Sequence, residues 1–135
     1  MLCYDGSDAS AHAIRVAASR LRVTEAVVVS VYSLHVADLL PGVDVEEKAK
    51  LQAQEGAVIA TEAGFSATWV SLDAATIWKG LVEYAEQHQV EAVVVGTRGT
   101  SILSNVLGSV ADGVAHHCKQ PVLLVHHDRH GDHND

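Results

Sequence analysis

The sequence has few aromatic residues and no long apolar run. Only 4% of its 135 residues are aromatic, although 48% are hydrophobic, and many of these are Ala and Val. Such side chains suit helices that pack closely on a sheet of β-branched residues. A chain of this length is expected to bury about two-thirds of its unfolded surface in one core. We therefore expect one compact domain whose core is built from small side chains.

Basic residues are also scarce. Nine Lys and Arg stand against seventeen Asp and Glu, which gives a formal net charge of −8. They form no cluster denser than the scattered Arg15, Arg20 and Arg22. Since nonspecific affinity for nucleic acid depends on neutralising its phosphates, we expect no nucleic acid partner. A small anionic ligand is still allowed, because backbone N–H groups at a helix start bind anions without net positive charge.

The two cysteines and the apolar segments exclude further classes. Cys3 and Cys118 lack the C-x-x-C spacing of redox and zinc motifs. The first residues contain neither the charged segment nor the long apolar segment of a secretory signal, and no run reaches the roughly 18 apolar residues of a membrane span. We therefore expect a cytoplasmic protein with reduced thiols and no membrane partner.

The pattern of apolar residues predicts five strands that alternate with helices. Strands are expected at residues 2–4, 26–32, 67–72, 92–95 and 121–125. Helices are expected after an N-cap at Ser7 or Asp8, from near Glu46 to a cap at Gly64, on the face from Ile77 to His88, and on the stripe from Val106 to Cys118. Residues 33–45 show no period and are expected to form a surface connection.

This alternation predicts an α/β fold. Helices between buried strands require a parallel sheet that is covered on both faces, with right-handed crossovers. The prediction is a single doubly wound sheet of five parallel strands, in the order 3-2-1-4-5, with helices on both faces. Residues 1–126 would form this domain. Residues 127–135 contain no apolar side chain and are expected to be a disordered polar tail.

Two glycine-marked strand ends point to a binding site. Doubly wound sheets bind ligands beyond the carboxyl ends of their strands, where the strand order reverses. Asp5-Gly6-Ser7 follows the first strand, and Gly96-Thr97-Arg98-Gly99 follows the fourth. In the order 3-2-1-4-5 these two segments face each other across that point.

Gly108 and Ser109 stand where the last helix is expected to begin. Glycines let a backbone approach phosphates, and the helix start and the Ser109 hydroxyl would add donors to an anion. Alternatively, the glycines only make turns, and Ser109 with Asp112 forms a capping box. The spacing alone leaves both interpretations open.

Asp5 has two interpretations as well. Its carboxylate could accept from a ribose hydroxyl, bind a metal or hold the neighbouring loop, or it could simply form an Asx turn or helix cap with Ser7 and Asp8. Its position directly after the first strand favours a ligand role.

Nucleophilic and metal sites are less strongly indicated. His116 and His117 are adjacent and so point in different directions on a helix. His88 completes an apolar helical face and is interpreted as a partly buried structural residue, and Cys118 as a buried one. His126, His127, His130 and His133 with the neighbouring Asp residues could hold a divalent metal, but a flexible polar tail is the preferred interpretation. No general base is evident, so at most slow hydrolysis is expected.

Taken together, these motifs resemble the universal stress protein family, of the subtype that binds ATP. The resemblance rests on Asp5-Gly6-Ser7, Val-Gly-Thr-Arg-Gly at 95–99, Leu-Gly-Ser-Val at 107–110 and Pro-Val-Leu-Leu-Val at 121–125, and it extends from residue 2 to about residue 126. It implies an adenine-nucleotide site of the form G-x-x-G-x9-G-[ST]. The ligand would be ATP, with Mg²⁺ where required, or the related ADP, AMP or cyclic AMP.

The resemblance also implies roles for individual residues. Asp5 would contact the ribose, Cys3, Tyr4 and Val31 would line the base pocket, Val95 and Gly96 would border base and sugar, and Arg98, Gly99, Gly108, Ser109 and Val110 would surround the phosphates. It further implies a regulatory or stress-adaptation role and a homodimer that pairs through residues 121–126.

The chain departs from the family motif at one point. Eight residues, 100–107, separate Gly99 from Gly108, where the motif has nine. The alternative function is therefore a dimeric interaction protein whose glycine loop no longer binds a nucleotide.

Overall fold

The computed structural model describes residues 1–37, 39–97 and 107–127, in which strands and helices alternate apart from two successive helices between the second and third strands. The elements are β1 Leu2–Cys3, α1 Asp8–Arg20, β2 Glu25–Tyr32, α2 Leu34–Ala37, α3 Val45–Ala63, β3 Ser66–Asp73, α4 Ile77–Gln87, β4 Val93–Gly96, α5 Ser109–His117 and β5 Val122–Val125. The sheet has the order β3-β2-β1-β4-β5, and every pair is parallel. The predicted doubly wound α/β fold is confirmed.

Alternate residues of the central strands face opposite layers of helices. Leu2, Val28 and Val94 share one buried cluster with residues of α1 and α3. Their neighbours Cys3 and Val29 share a second cluster with residues of α4 and α5. Since successive side chains of a strand point to opposite faces, the short apolar runs supply both cores at once.

The caps of the long helices agree with the sequence. Ser7 is the N-cap of α1, and its side chain accepts from the Ser10 backbone N. Asp44 caps α3 in the same way, through the backbone N of Glu47. Gly64 ends α3 with a φ of 117°, in the left-handed region that favours glycine.

One face of α3 carries a stripe of buried alanines, which lets this helix approach the sheet closely. The stripe consists of Ala49, Ala53 and Ala60. At Gly56 a Cβ atom would lie only 2.7 Å from Val28 Cγ1 and 2.9 Å from the ring of Tyr4. The helix therefore rests directly on β1 and β2 at this point.

The connection at 33–45 lies at the surface as expected, since its residues 34, 35 and 39–44 are exposed, although it also contains the four-residue helix α2, which is too short to show a helical period. Two predictions about single residues were wrong. His88 is exposed, not partly buried: it caps α4, and its ring stacks on Tyr84 with 3.9 Å between centroids. Cys118 is half-buried at the end of α5, and its thiol donates to Gln120 Oε1 over 3.2 Å.

No helix in the described ranges combines the length and the apolar character that crossing a bilayer requires. Arg98, Gly99, Val106, His130 and His133, and with them most of the predicted tail, lie outside the described residues.

Candidate functional site

A cleft of about 400 Å³ opens beyond the carboxyl ends of β1 and β4. This is where the strand order reverses, because β1 is joined to β2 on one side and to β4 on the other. The cleft is lined by nine of the predicted site residues: Cys3, Tyr4, Asp5, Val31, Val95, Gly96, Gly108, Ser109 and Val110. The structure thus brings together all the predicted site residues that it describes, while their role toward a ligand stays a prediction.

Six further residues line the cleft and were missed in the sequence: Ser10, Val29, Gln52, Ile77, Leu81 and Ala111. Three of them could have been found from the periodicity of the sequence. Val29 precedes Val31 by one strand period, and Ile77 and Leu81 share a helical face. Ser10 and Gln52 belong to no motif, and only the fold brings them to this edge of the sheet.

The Asp5 carboxylate is held by its own loop. Its Oδ1 accepts hydrogen bonds from the Ser7 backbone N at 2.9 Å and the Ser10 hydroxyl at 2.8 Å, and the Ser7 hydroxyl also donates to it. The Asx turn considered as an alternative is therefore present. Within the described residues nothing donates to Oδ2, so one oxygen of an oriented carboxylate is left to accept from a ligand.

The start of α5 differs from the start of α1. Gly108 is its N-cap, and no side chain caps it. The first-turn N–H groups of Ser109, Val110 and Ala111 have no acceptor within the helix, and all three residues line the cleft. The capping box considered for Ser109 is not formed, since Ser109 lies after the N-cap. This helix start presents unpaired donors to the cleft, which is the arrangement that binds anions.

The backbone conformation of Gly108 does not explain why this residue is glycine. Its φ of −60° and ψ of 150° are open to any residue, whereas Gly6 has a φ of 85°. Gly108 N donates to Thr97 O at 2.7 Å, which ties the start of α5 to the end of β4. A turn therefore does not require glycine here, whereas close approach of a ligand would.

Cys3 and Tyr4 contribute apolar surface. Burial raises the pKa of the Cys3 thiol to about 12, so the thiol is neutral near pH 7 and a poor nucleophile. Tyr4 also lines the cleft, but its ring packs against Gly56 on the other face of the sheet. Burial, and then the hydrogen bond from its hydroxyl to Glu55 Oε1, raise the pKa of Tyr4. Neither residue is suited to act as a base or nucleophile.

The cleft has three chemically distinct parts. One wall is apolar and includes Val31, Leu81 and Val95. A polar end carries Asp5, Ser10 and Gln52, and the third part is the uncapped start of α5. The described residues contain no group of three or more His, Cys, Asp and Glu side chains placed to hold a metal ion. The arrangement fits a ligand with an apolar ring, hydroxyls and an anionic group.

Comparison with known proteins points to one family. The family model described as the universal stress protein family matches residues 1–126. Among curated proteins no significant match exists. The solved structure of the hypothetical protein MJ0577 has a TM-score of 0.75 at 19% identity and covers 95% of this chain and 94% of its own, which shows a shared fold.

Two solved structures with bound ligands are somewhat more similar in sequence. A universal stress protein in complex with cAMP is 25% identical, with a TM-score of 0.72 and coverage of 94% of this chain and 95% of its own. The universal stress protein from Archaeoglobus fulgidus in complex with dAMP is 26% identical, with a TM-score of 0.66 and coverage of 90% and 92%.

Proposed function

Because this chain belongs to the universal stress protein family, we propose that it binds an adenine nucleotide in the cleft between β1 and β4 and has a regulatory role in stress adaptation. The candidates are ATP, ADP, AMP and cyclic AMP, and Mg²⁺ would enter with ATP, bound to its phosphates. The cytoplasmic location expected from the sequence stays a prediction.

The observation that carries this proposal is the combination of chemical groups that line one cleft. These groups are an apolar wall, an oriented carboxylate with one oxygen left to accept, and an uncapped helix start. A nucleotide presents the matching groups, which are a flat base, ribose hydroxyls and phosphates. The relatives solved with cAMP and dAMP bind ligands of this class.

Each part of the ligand then has a place. The base would lie against Cys3, Val31 and Val95, and the ribose would donate to Asp5 Oδ2. The phosphates would meet the first-turn N–H groups of α5, with Ser109 and Val110. Arg98 and Gly99, the other residues assigned to the phosphates, lie outside the described residues.

The proposed mechanism is a shift of conformational populations. A nucleotide that contacts both Asp5 and the start of α5 favours conformations in which these two segments keep their present separation. A partner protein would bind preferentially to the protein in this conformation. A ligand can shift the equilibrium only by its differential affinity for the two states. Slow hydrolysis of the nucleotide, or none at all, is compatible with such a role.

The first test is to identify the ligand. Freshly purified protein is denatured, the released small molecules are analysed by mass spectrometry, and the protein is then titrated calorimetrically with ATP, AMP and cyclic AMP. We expect a stoichiometric adenine nucleotide, or a Kd below about 100 μM, which corresponds to roughly −5.5 kcal/mol. Absence of any nucleotide in both measurements would favour the alternative, a dimeric interaction protein whose cleft is empty.

The homodimer is the second part of the proposal. β5 is an edge strand of the sheet, and Leu124 in it is 39% exposed. Pairing of residues 121–126 with a second copy would cover this edge.

The substitution Leu124→Asp is therefore expected to convert the dimer to a monomer, because it places a charge in the apolar interface. Light scattering coupled to size-exclusion chromatography measures the mass directly. The matched control is Leu51→Asp, where Leu51 is 57% exposed on α3, a helix that packs mainly against β2 and β3 and away from the β5 edge. If the unsubstituted chain is monomeric, or if both variants remain dimers, pairing through β5 is wrong.

A further inference from the structure

Gln52 is the one residue of α3 that lines the cleft. It lies on the loop that carries Asp5: a Cβ atom built on Gly6 would be 2.9 Å from Gln52 Nε2. Asp5 and Gln52 are therefore neighbours at the polar end of the cleft.

The position of Gln52 in α3 would suit an apolar residue. It stands three residues after the buried Ala49 and four before the buried Gly56, on the edge of the face that packs on the sheet. The side chain is half-buried, yet no group within the described ranges hydrogen-bonds to its amide. Water can reach a half-buried amide, so a ligand that enters the cleft can replace that water and hydrogen-bond to this side chain.

Tight packing fixes the backbone that carries Gln52. One turn further along α3, Gly56 allows the helix to touch Val28 and the ring of Tyr4. In addition, the Tyr4 hydroxyl donates to Glu55 Oε1 at 2.5 Å, which connects the same turn to β1. The backbone of Gln52 is thus held at a set distance from the Asp5 loop, as a recognition residue must be.

We propose that Gln52 is a specificity-determining residue that hydrogen-bonds one ribose hydroxyl while Asp5 Oδ2 accepts from the other. This inference rests on the proposed nucleotide site. It makes the cleft selective for nucleotides whose 2′ and 3′ hydroxyls are both free, because a ligand that lacks either one leaves one of the two protein groups unpaired.

The chemistry of the two groups supports this division. A ribose presents two neighbouring hydroxyls, and the polar end of the cleft holds two side chains that can still form hydrogen bonds. The carboxylate oxygen can only accept, whereas the amide can both donate and accept. The two relatives were solved with ligands that each lack one free hydroxyl, since cAMP has its 3′ oxygen esterified and dAMP lacks the 2′ hydroxyl. A requirement for both hydroxyls would therefore distinguish this chain from them.

The test measures affinity for three ligands by calorimetry: AMP, 2′-deoxy-AMP and 3′-deoxy-AMP. For the unsubstituted chain we expect AMP to bind about five- to tenfold more tightly than each deoxy analogue, the effect of one hydrogen bond. In Gln52→Leu, AMP should weaken by the same factor. One deoxy analogue should keep its affinity, because the hydroxyl that it lacks is the one that Gln52 contacts, so its ratio to AMP should fall to about one.

The matched control is Gln54→Leu, which makes the same change two residues away on the exposed side of α3. It should leave all three affinities unchanged. Gln52→Ala is the second variant, in case leucine alters the shape of the cleft, and thermal unfolding confirms that each variant folds.

Two results distinguish a failure of the ribose role of Gln52 from a failure of the proposed nucleotide site. If the unsubstituted chain binds none of the three ligands, the proposed function fails, and the role of Gln52 fails with it. If it binds AMP but both Gln52 variants weaken the three ligands equally, or none of them, only the ribose role of Gln52 is overturned.

Discussion

The substitution Gly108→Val is expected to abolish nucleotide binding while the protein still folds. Gly108 precedes the uncapped first turn of α5, where we place the phosphates. A branched side chain there would occupy the space that the phosphates need, so affinity for ATP should fall about hundredfold or more, equivalent to roughly 2.7 kcal/mol. The fold should tolerate the change, because a φ of −60° and a ψ of 150° are allowed for valine.

This prediction needs a separate measure of stability. Valine is a poorer N-cap than glycine, so the free energy of unfolding should fall by only about 1 kcal/mol. The control is Ala115→Val, which adds a branched side chain at an exposed position near the other end of α5. It should leave the affinity for ATP unchanged. A Gly108→Val variant that binds ATP as the unsubstituted chain does would show that the phosphates do not lie at this helix start.

The substitution Gly113→Ala should destabilise the protein by about 2–3 kcal/mol, in the upper part of the range of roughly 1–3 kcal/mol that is typical of overpacked cores. In an exposed helix the same change would stabilise by about 1 kcal/mol. Here the added Cβ would lie 2.2 Å from Trp78 Cγ and 2.6 Å from Cδ1, too close for any real contact. The indole also stacks on His117, one turn further along α5, with 4.3 Å between ring centroids, so a shift of the ring would disturb this contact as well.

Urea unfolding measures the loss in the free energy of unfolding. The same substitution made in a Trp78→Leu variant tests whether the contact with Trp78 causes this loss. In Trp78→Leu the shorter side chain removes the ring that the Cβ would meet, so Gly113→Ala should then cost less than about 1 kcal/mol. The contact also holds α5 against α4, and with it the helix start that lines the cleft. We therefore expect Gly113→Ala to weaken nucleotide binding as well. Equal costs in both backgrounds would contradict the role of Trp78.

The fold was predictable because its signals are local. A β-branched run at residues 26–32 marks a strand buried on both faces, and the alanine stripe of α3 marks a helix packed on a sheet. Gly64 ends this helix where a left-handed residue is required. By contrast, the four-residue helix α2 shows no period, and the exposure of His88 depends on where α4 ends relative to the sheet.

The candidate site was predictable only where its residues follow strand ends or begin a helix. Asp5, Gly96 and Gly108 are of this kind, because every parallel sheet brings its carboxyl ends to one edge. Ser10 lies in the first turn of α1, and Gln52 in a helix that precedes β3 in the chain. Neither has a position in the sequence that points to a cleft.

The sequence by itself thus determined the order of strands and helices, the family, and the strand ends where a ligand would bind, because periodicity and turn residues act over a few neighbours along the chain. Only the tertiary structure decided that α3 packs closely enough to bring Gln52 beside Asp5, that Tyr4 turns its ring to the opposite face from Cys3, and that Gly113 leaves room for Trp78. These contacts depend on how far two helices stand from one sheet, a distance that packing across the whole domain sets.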